Sequence, residues 1–163
     1  MFVHAAAMTA TGREEDDLIA DIEECYAILK ERFGGSAHAL RAACVLARSE
    51  KTPQEKAGRI PELFDALRQS GIKYGKDFEL PALAALCLTT ADKRQLCADM
   101  IEADGFLEQQ KGYGFFGTGK TMRRMHAAML LNIIHGSDGS YMTEAALSAM
   151  FALIDAARNA SNV

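Results

Sequence analysis

With 163 residues, about half of them apolar and a quarter charged, the chain has the make-up of one folded domain or a short repeat array and not of a disordered segment. Its net charge of −4 excludes the basic footprint of a nucleic-acid binder or of a protein drawn to an anionic membrane. Four dispersed cysteines, Cys25, Cys44, Cys87 and Cys97, form no C-x-x-C or Cys/His grouping, so reduced, buried thiols are expected, with no disulfide, metal or cofactor.

The N-terminal MFVHAAAMTATG is apolar but lacks a basic leader and runs into Glu14–Asp17, which makes a poor signal peptide. No apolar run approaches the roughly 20 residues of a membrane span. A cytoplasmic protein without nucleic acid or membrane as partner is expected.

Helical periodicity then dominates. Leu18, Ile22, Cys25, Tyr26, Leu29 and Phe33 recur at three- and four-residue steps between charges, predicting a helix from Glu14 to Phe33 with a capping box at Thr11/Glu14 and a stop at Gly34-Gly35. Ser36 is placed to cap a short helix carrying Leu40, Ala43, Cys44 and Ala47. Thr52-Pro53-Gln54-Glu55 starts a longer one through Ile60, Leu63, Phe64 and Leu67 to Gly71, which Pro61 is expected to kink or divide. A nearly all-apolar helix follows at Leu80–Leu88. Thr90 is placed to cap the next, with Leu96, Met100, Ala103 and Leu107. After a glycine-rich stretch come a helix from Thr121 to His135, the turn Gly136–Gly139, and a last helix from Tyr141 to Arg158. No segment alternates like a strand. The expected fold is therefore all-α, a single domain over residues 1–163, of about seven or eight helices in antiparallel pairs.

Alanine-rich short helices recur at VHAAAM (Val3–Met8), LRAACVLA (Leu40–Ala47), ALAALCL (Ala82–Leu88) and RMHAAMLL (Arg124–Leu131). Their Ala-Ala pairs, at 5/6, 42/43, 84/85 and 127/128, stand 37, 42 and 43 residues apart. That is the period of a helical-hairpin array, or α-solenoid, with an irregular bundle as the alternative. Small side chains let neighbouring helices approach closely, so these helices are expected to line one packed layer. Lys73-Tyr74-Gly75 and Gly112-Tyr113-Gly114 are related loops, and their Tyr74, Phe78, Tyr113, Phe115 and Phe116 are expected to fold back over the helix seam.

The stretch GYGFFGTGKT (Gly112–Thr121) satisfies G-x-G-x-x-G and also the phosphate-cradling G-x-x-x-x-G-K-T pattern. A phosphate loop needs a buried strand to deliver its glycines and a helix N-terminus to receive the phosphates. The helix half is present; ADGFLEQQK before the loop continues a helix instead of a strand. Ile154-Asp155, which resembles the end of a magnesium-binding strand, lies within a helical pattern as well. The loop is therefore read as a connector with glycine-dependent turns. An anion site at Gly119, Lys120, Thr121, Arg123 and Arg124 remains the alternative to a solvated basic face.

Other candidates are weaker. His4 and His126 precede equivalent Ala-Ala pairs and are read as helix-contact residues; His38 and His135 stand near helix ends. Glu14–Asp17, Glu23-Glu24 and Glu102/Asp104 are read as solvated faces. Met122, Met125 and Met129 share a helical face and suit the core. No serine or cysteine has the setting of a nucleophile, and no catalytic residue is assigned.

The runs LKERFGGSAHALRAACVLA, RIPELFDALRQSGIKYG and KTMRRMHAAMLL resemble an uncharacterised bacterial family, domain of unknown function 4003. The resemblance implies a cytoplasmic bacterial protein matching the C-terminal part of longer members, and it supplies no activity or site residue. The leading functional expectation is a non-catalytic interaction or assembly module, working through a surface rich in Met, Ala and Phe. Its partner would be a protein or a second copy of the chain, which would cover the edge bearing Met1, Phe2, Val3 and Met8. The alternative is a nucleotide- or phosphate-binding protein using the Gly114–Thr121 loop.

Overall fold

The computed structural model describes residues 13–113 and 119–136. Helix α1 spans Glu15–Phe33, α2 Ala37–Leu46, α3 Pro53–Gln69, α4 Leu80–Cys87, α5 Lys93–Glu108 and α6 Lys120–His135, with one 3-10 turn at Asp77–Glu79. Among the described residues every regular element is helical. The helices expected at Val3–Met8 and Tyr141–Arg158 lie outside the described residues, as do Phe115 and Phe116 of the glycine-rich loop.

Local signals account for most boundaries. Ser36 Oγ accepts the Ala39 N–H at 3.2 Å at the start of α2. Thr52 and Glu55 form the reciprocal capping box ahead of Pro53, which satisfies two N–H groups that α3 itself leaves unpaired. Gly34 ends α1 at φ 76°, its N–H bonded to the Lys30 carbonyl. Pro61 sits inside α3 without dividing it, since tertiary packing on both sides of Ile60 and Phe64 holds the helix together across the missing N–H. The cap of α5 is Asp92, not Thr90: the Asp92 carboxylate accepts from Arg94 N and Gln95 N at 2.8 and 2.9 Å. Thr90 instead ties α5 to α6, donating from N and Oγ1 to the His135 carbonyl. At α1 the N-cap position belongs to Glu14, with no side-chain cap; Thr11 lies outside the described residues.

The helices form two layers. Helices α1, α3 and α5 pack side by side in that order, and α2, α4 and α6 pack in order beside them, each against its sequence neighbour. The second layer is close because its contacts are small: Ala42, Ala43, Ala82, Ala84, Ala85, Ala127 and Ala128 are all buried. All eight residues of α4 are buried, so the central helix needs no polar face. Leu29, Leu46, Ile60, Leu67, Leu83, Leu86, Leu96, Met100 and Met125 fill the space between layers, and each such side chain contributes about 1.5–3 kcal/mol over exposure. Cys25, Cys87 and Cys97 are buried and all four cysteines are free thiols. Burial pushes the Cys25 and Cys87 thiols up to about 12, with the nearby Lys56 and Arg59 charges opposing it.

Two polar clusters are buried in this frame. Beneath α1, Asp21 Oδ2 accepts from Lys56 Nζ and from Arg13 Nη1, both at 2.6 Å, and Lys56 also donates to the Ser49 carbonyl at 3.0 Å. The second, at the α5–α6 contact, overturns the expectation drawn from the charge pattern. Asp104, Arg123 and Arg124 do not lie on solvated faces but are all buried, because two helices turn their charged stripes toward each other. Glu14–Asp17, Glu23, Glu24 and Glu102 are exposed as expected.

Candidate functional site

The five residues of the candidate anion site divide into two groups. Gly119 holds the N-cap position of α6 without a side-chain cap, and Lys120 and Thr121 are exposed. Arg123 and Arg124 turn inward. Arg123 Nε donates to Asp104 Oδ1 at 2.6 Å and its Nη1 to Glu108 Oε1 at 2.7 Å; Arg124 Nε lies 3.4 Å from Asp104 Oδ2. Burial pushes the Asp104 carboxyl up, but the two guanidiniums, Arg123 above all, outweigh it and hold the group below its ordinary value. These arginines thus have a carboxylate partner of their own. Residues 114–118 of the glycine-rich loop lie outside the described residues.

Arg124 leads to a second place. Its Nη1 donates to the Lys73 carbonyl at 2.8 Å, at the start of the loop Lys73-Tyr74-Gly75-Lys76. That loop, the end of α3 and the 3-10 turn border an open cavity of about 260 Å³ lined by Phe64, Arg68, Lys73, Tyr74, Lys76 and Glu79. Phe64 and Tyr74 supply aromatic walls; the Phe64 ring is held edge-on against Phe33 at 5.3 Å, with the Arg68 guanidinium 5.5 Å above it. Tyr74 is buried, as expected for a residue folded over the seam, and Phe78 packs beside the core.

Gly75 and Glu79 shape the loop. Glu79 Oε2 accepts from Gly75 N at 2.8 Å and from Lys76 N at 3.4 Å, bending the chain around a buried carboxyl. Burial pushes that carboxyl above its ordinary value, against the opposing pull of these N–H groups and of Arg124. Gly75 has φ 100°, and a Cβ there would stand 2.5 Å from Leu83 Cδ2. Gly75→Ala is therefore expected to destabilise the chain by roughly 2–4 kcal/mol, adding left-handed strain to overpacking. Urea unfolding followed by circular dichroism measures it; a change within experimental scatter would contradict this account of the loop.

A third feature is apolar. On the outer side of α6, Leu130 and Ile133 stand at helical spacing with Ile134 beside them, while Met122 at the start of the same stripe packs against the core, as expected. Ile133 is 56% and Ile134 67% exposed, and on neighbouring α5 Phe106 is 59% exposed. His126 Nδ1 is engaged by the Tyr113 hydroxyl at 2.6 Å, so it serves a helix–loop contact, and His135 Nε2 meets Asp99 at 2.5 Å. His4 lies outside the described residues. Met125 and Met129 are core, as expected.

Among the described residues no group of three His, Cys, Asp or Glu side chains could hold a metal ion, and no helix is long and apolar enough to cross a membrane. The cavity was missed at the level of sequence because its residues come from a helix end and a loop that read as a connector. The one signal pointing there was the Lys73-Tyr74-Gly75 motif.

The family described as "Protein of unknown function (DUF4003)" matches residues 2–159. No curated protein and no solved structure matches the chain.

Proposed function

The chain belongs to the DUF4003 family, and on that premise we propose that it is a non-catalytic interaction or assembly module whose docking face is the outer side of α6. The observation that carries this reading is the row Leu130, Ile133 and Ile134, exposed on α6 beside the exposed Phe106 of α5. Leaving such side chains in water forgoes about 1.5–3 kcal/mol each, which association recovers. The two-layer order of long α1, α3 and α5 against Ala-rich α2, α4 and α6 supports a helical-hairpin repeat of seven to eight helices in the whole chain. In such an array each repeat buries an apolar face on the next, so an apolar face left exposed is a surface for a further unit. The occupant we assign is a second copy of the chain, in the cytoplasm, with no nucleic acid or membrane involved.

The rival reading, a phosphate ligand held through Lys120 and Thr121, draws less support. The two arginines that would strengthen that site are committed to Asp104.

Light scattering on size-separated protein tests the proposal. Wild type is expected to self-associate with rising concentration, and the pair Ile133→Asp and Ile134→Asp to give monomers with unchanged helix content. A wild-type chain that stays monomeric throughout, or variants that associate as wild type does, defeats the assignment.

A further inference from the structure

Independently of the α6 face, we propose that the cavity between the end of α3 and the Lys73–Lys76 loop binds a small phosphorylated compound that also carries a hydroxyl group. Three cations, Arg68, Lys73 and Lys76, line it. None of the three has a carboxylate partner among the described residues, and the Arg68 guanidinium lies over the Phe64 ring. In a chain of net charge −4, three cations without a carboxylate partner around one concavity concentrate positive potential there, and low-dielectric walls from Phe64 and Tyr74 strengthen it. Set against the single carboxyl of Glu79, they match the charge of a phosphate monoester dianion.

Glu79 supplies the second half of the recognition. It lines the cavity yet is only 8% exposed. Oε2 is occupied by the Gly75 and Lys76 N–H groups, and Oε1 takes no hydrogen bond among the described residues. A hydroxyl group satisfies that oxygen in either protonation state, donating to a carboxylate or accepting from a carboxylic acid. An ammonium group would answer only the ionised form.

Size narrows the ligand further. At about 260 Å³ the cavity falls just below the roughly 300–1,000 Å³ of sites for drug-sized ligands, which suits a short polyol phosphate. The loop is also built in advance: Gly75 packs against Leu83 and Phe64, and the Lys73 carbonyl is fixed by Arg124. Binding therefore requires little ordering beyond the lysine side chains.

Isothermal titration calorimetry on the full chain at constant ionic strength tests this with three probes: glycerol 3-phosphate, inorganic phosphate and glycerol. Glycerol 3-phosphate is expected to bind saturably, inorganic phosphate about tenfold more weakly, and glycerol not at all. The paired substitution Lys73→Ala and Lys76→Ala, both at exposed positions, is expected to weaken glycerol 3-phosphate binding by about tenfold or more. Lys51→Ala, on the distant α2–α3 turn, is expected to leave it unchanged. Circular dichroism confirms that each variant retains its helices. Absence of saturable heat up to about 10 mM ligand, equal affinity for the two phosphates, or equal losses in the Lys51 and Lys73/Lys76 variants overturns the proposal.

Discussion

Asp21→Asn is expected to cost roughly 3–5 kcal/mol, the cost of removing one partner from a buried ion pair. The substitution keeps the side-chain shape and deletes only the charge. Lys56 is then left with its ammonium fully inside the protein, its side chain 0% exposed, facing the Ser49 carbonyl and a neutral amide. Arg13 is less affected, since 27% of its side chain reaches solvent. Against a total stability of about 5–15 kcal/mol for a domain, such a loss brings the chain near unfolding at physiological temperature. The double substitution Asp21→Leu with Lys56→Met is expected to recover much of the stability, because no buried charge is left unpaired and apolar volume replaces it. A double-mutant cycle from urea unfolding measures the coupling. If Asp21→Asn alone unfolds at the wild-type midpoint, the cluster is not buried as described.

The second large effect lies across α5 and α6. Asp104→Asn is expected to cost roughly 3 kcal/mol, toward the low end for a buried pair. Two guanidiniums lose their shared carboxylate, but Arg123 keeps Glu108 and Arg124 keeps the Lys73 carbonyl. The effect carries a pH signature. Asp104 is held below its ordinary value of 3.8 in the folded chain, so the folded state binds its proton less readily than the unfolded state does. The stabilisation is therefore complete above that value and is lost as pH falls through the lower, folded-state value. Wild type and Asp104→Asn should differ most near neutral pH and converge as pH falls through the folded-state value, below 3.8. A difference that stays constant on acidification would mean that the charge of Asp104 contributes nothing. Because Arg124 also fixes the Lys73 carbonyl, the same variant reports whether the α5–α6 cluster and the cavity loop are mechanically linked.

These two clusters show where reading from sequence stops. Asp21 and Lys56 are separated by 35 positions, and each sits on a helix whose polar stripe looks like any solvated stripe. The pattern distinguishes polar from apolar positions and says nothing about which polar stripe meets another helix. For the same reason Asp104, Arg123 and Arg124 read as surface charges, and α6 read as a helix start open to an anion. Thr90 and Asp92 illustrate a finer limit. Both residue types cap helices, and only the chain path, which sends Thr90 toward the His135 carbonyl, decides between them.

The helix start at Thr52-Pro53, the Ser36 cap and the stops at Gly34 and Gly71 were all legible, because helix propensity, capping and φ > 0 are properties of a few neighbouring residues. Together with the apolar spacing they were enough to set helices throughout the described residues, the places of α1 to α6 within a few residues, and a core of Leu, Ile, Met and Ala. The 3-10 turn at Asp77–Glu79 was not foreseen, nor was the cavity it borders. The turn depends on Glu79 reaching back to Gly75 and Lys76, and the cavity on Phe64 and Arg68 of α3 arriving beside it. What the sequence determined by itself is thus the set of local elements and their apolar faces. What only the tertiary structure decided is which charges are buried together, which glycine faces a leucine at contact distance, and which lysines converge on one hollow. Those are relations between residues distant in sequence, and they exist only once the layers have packed.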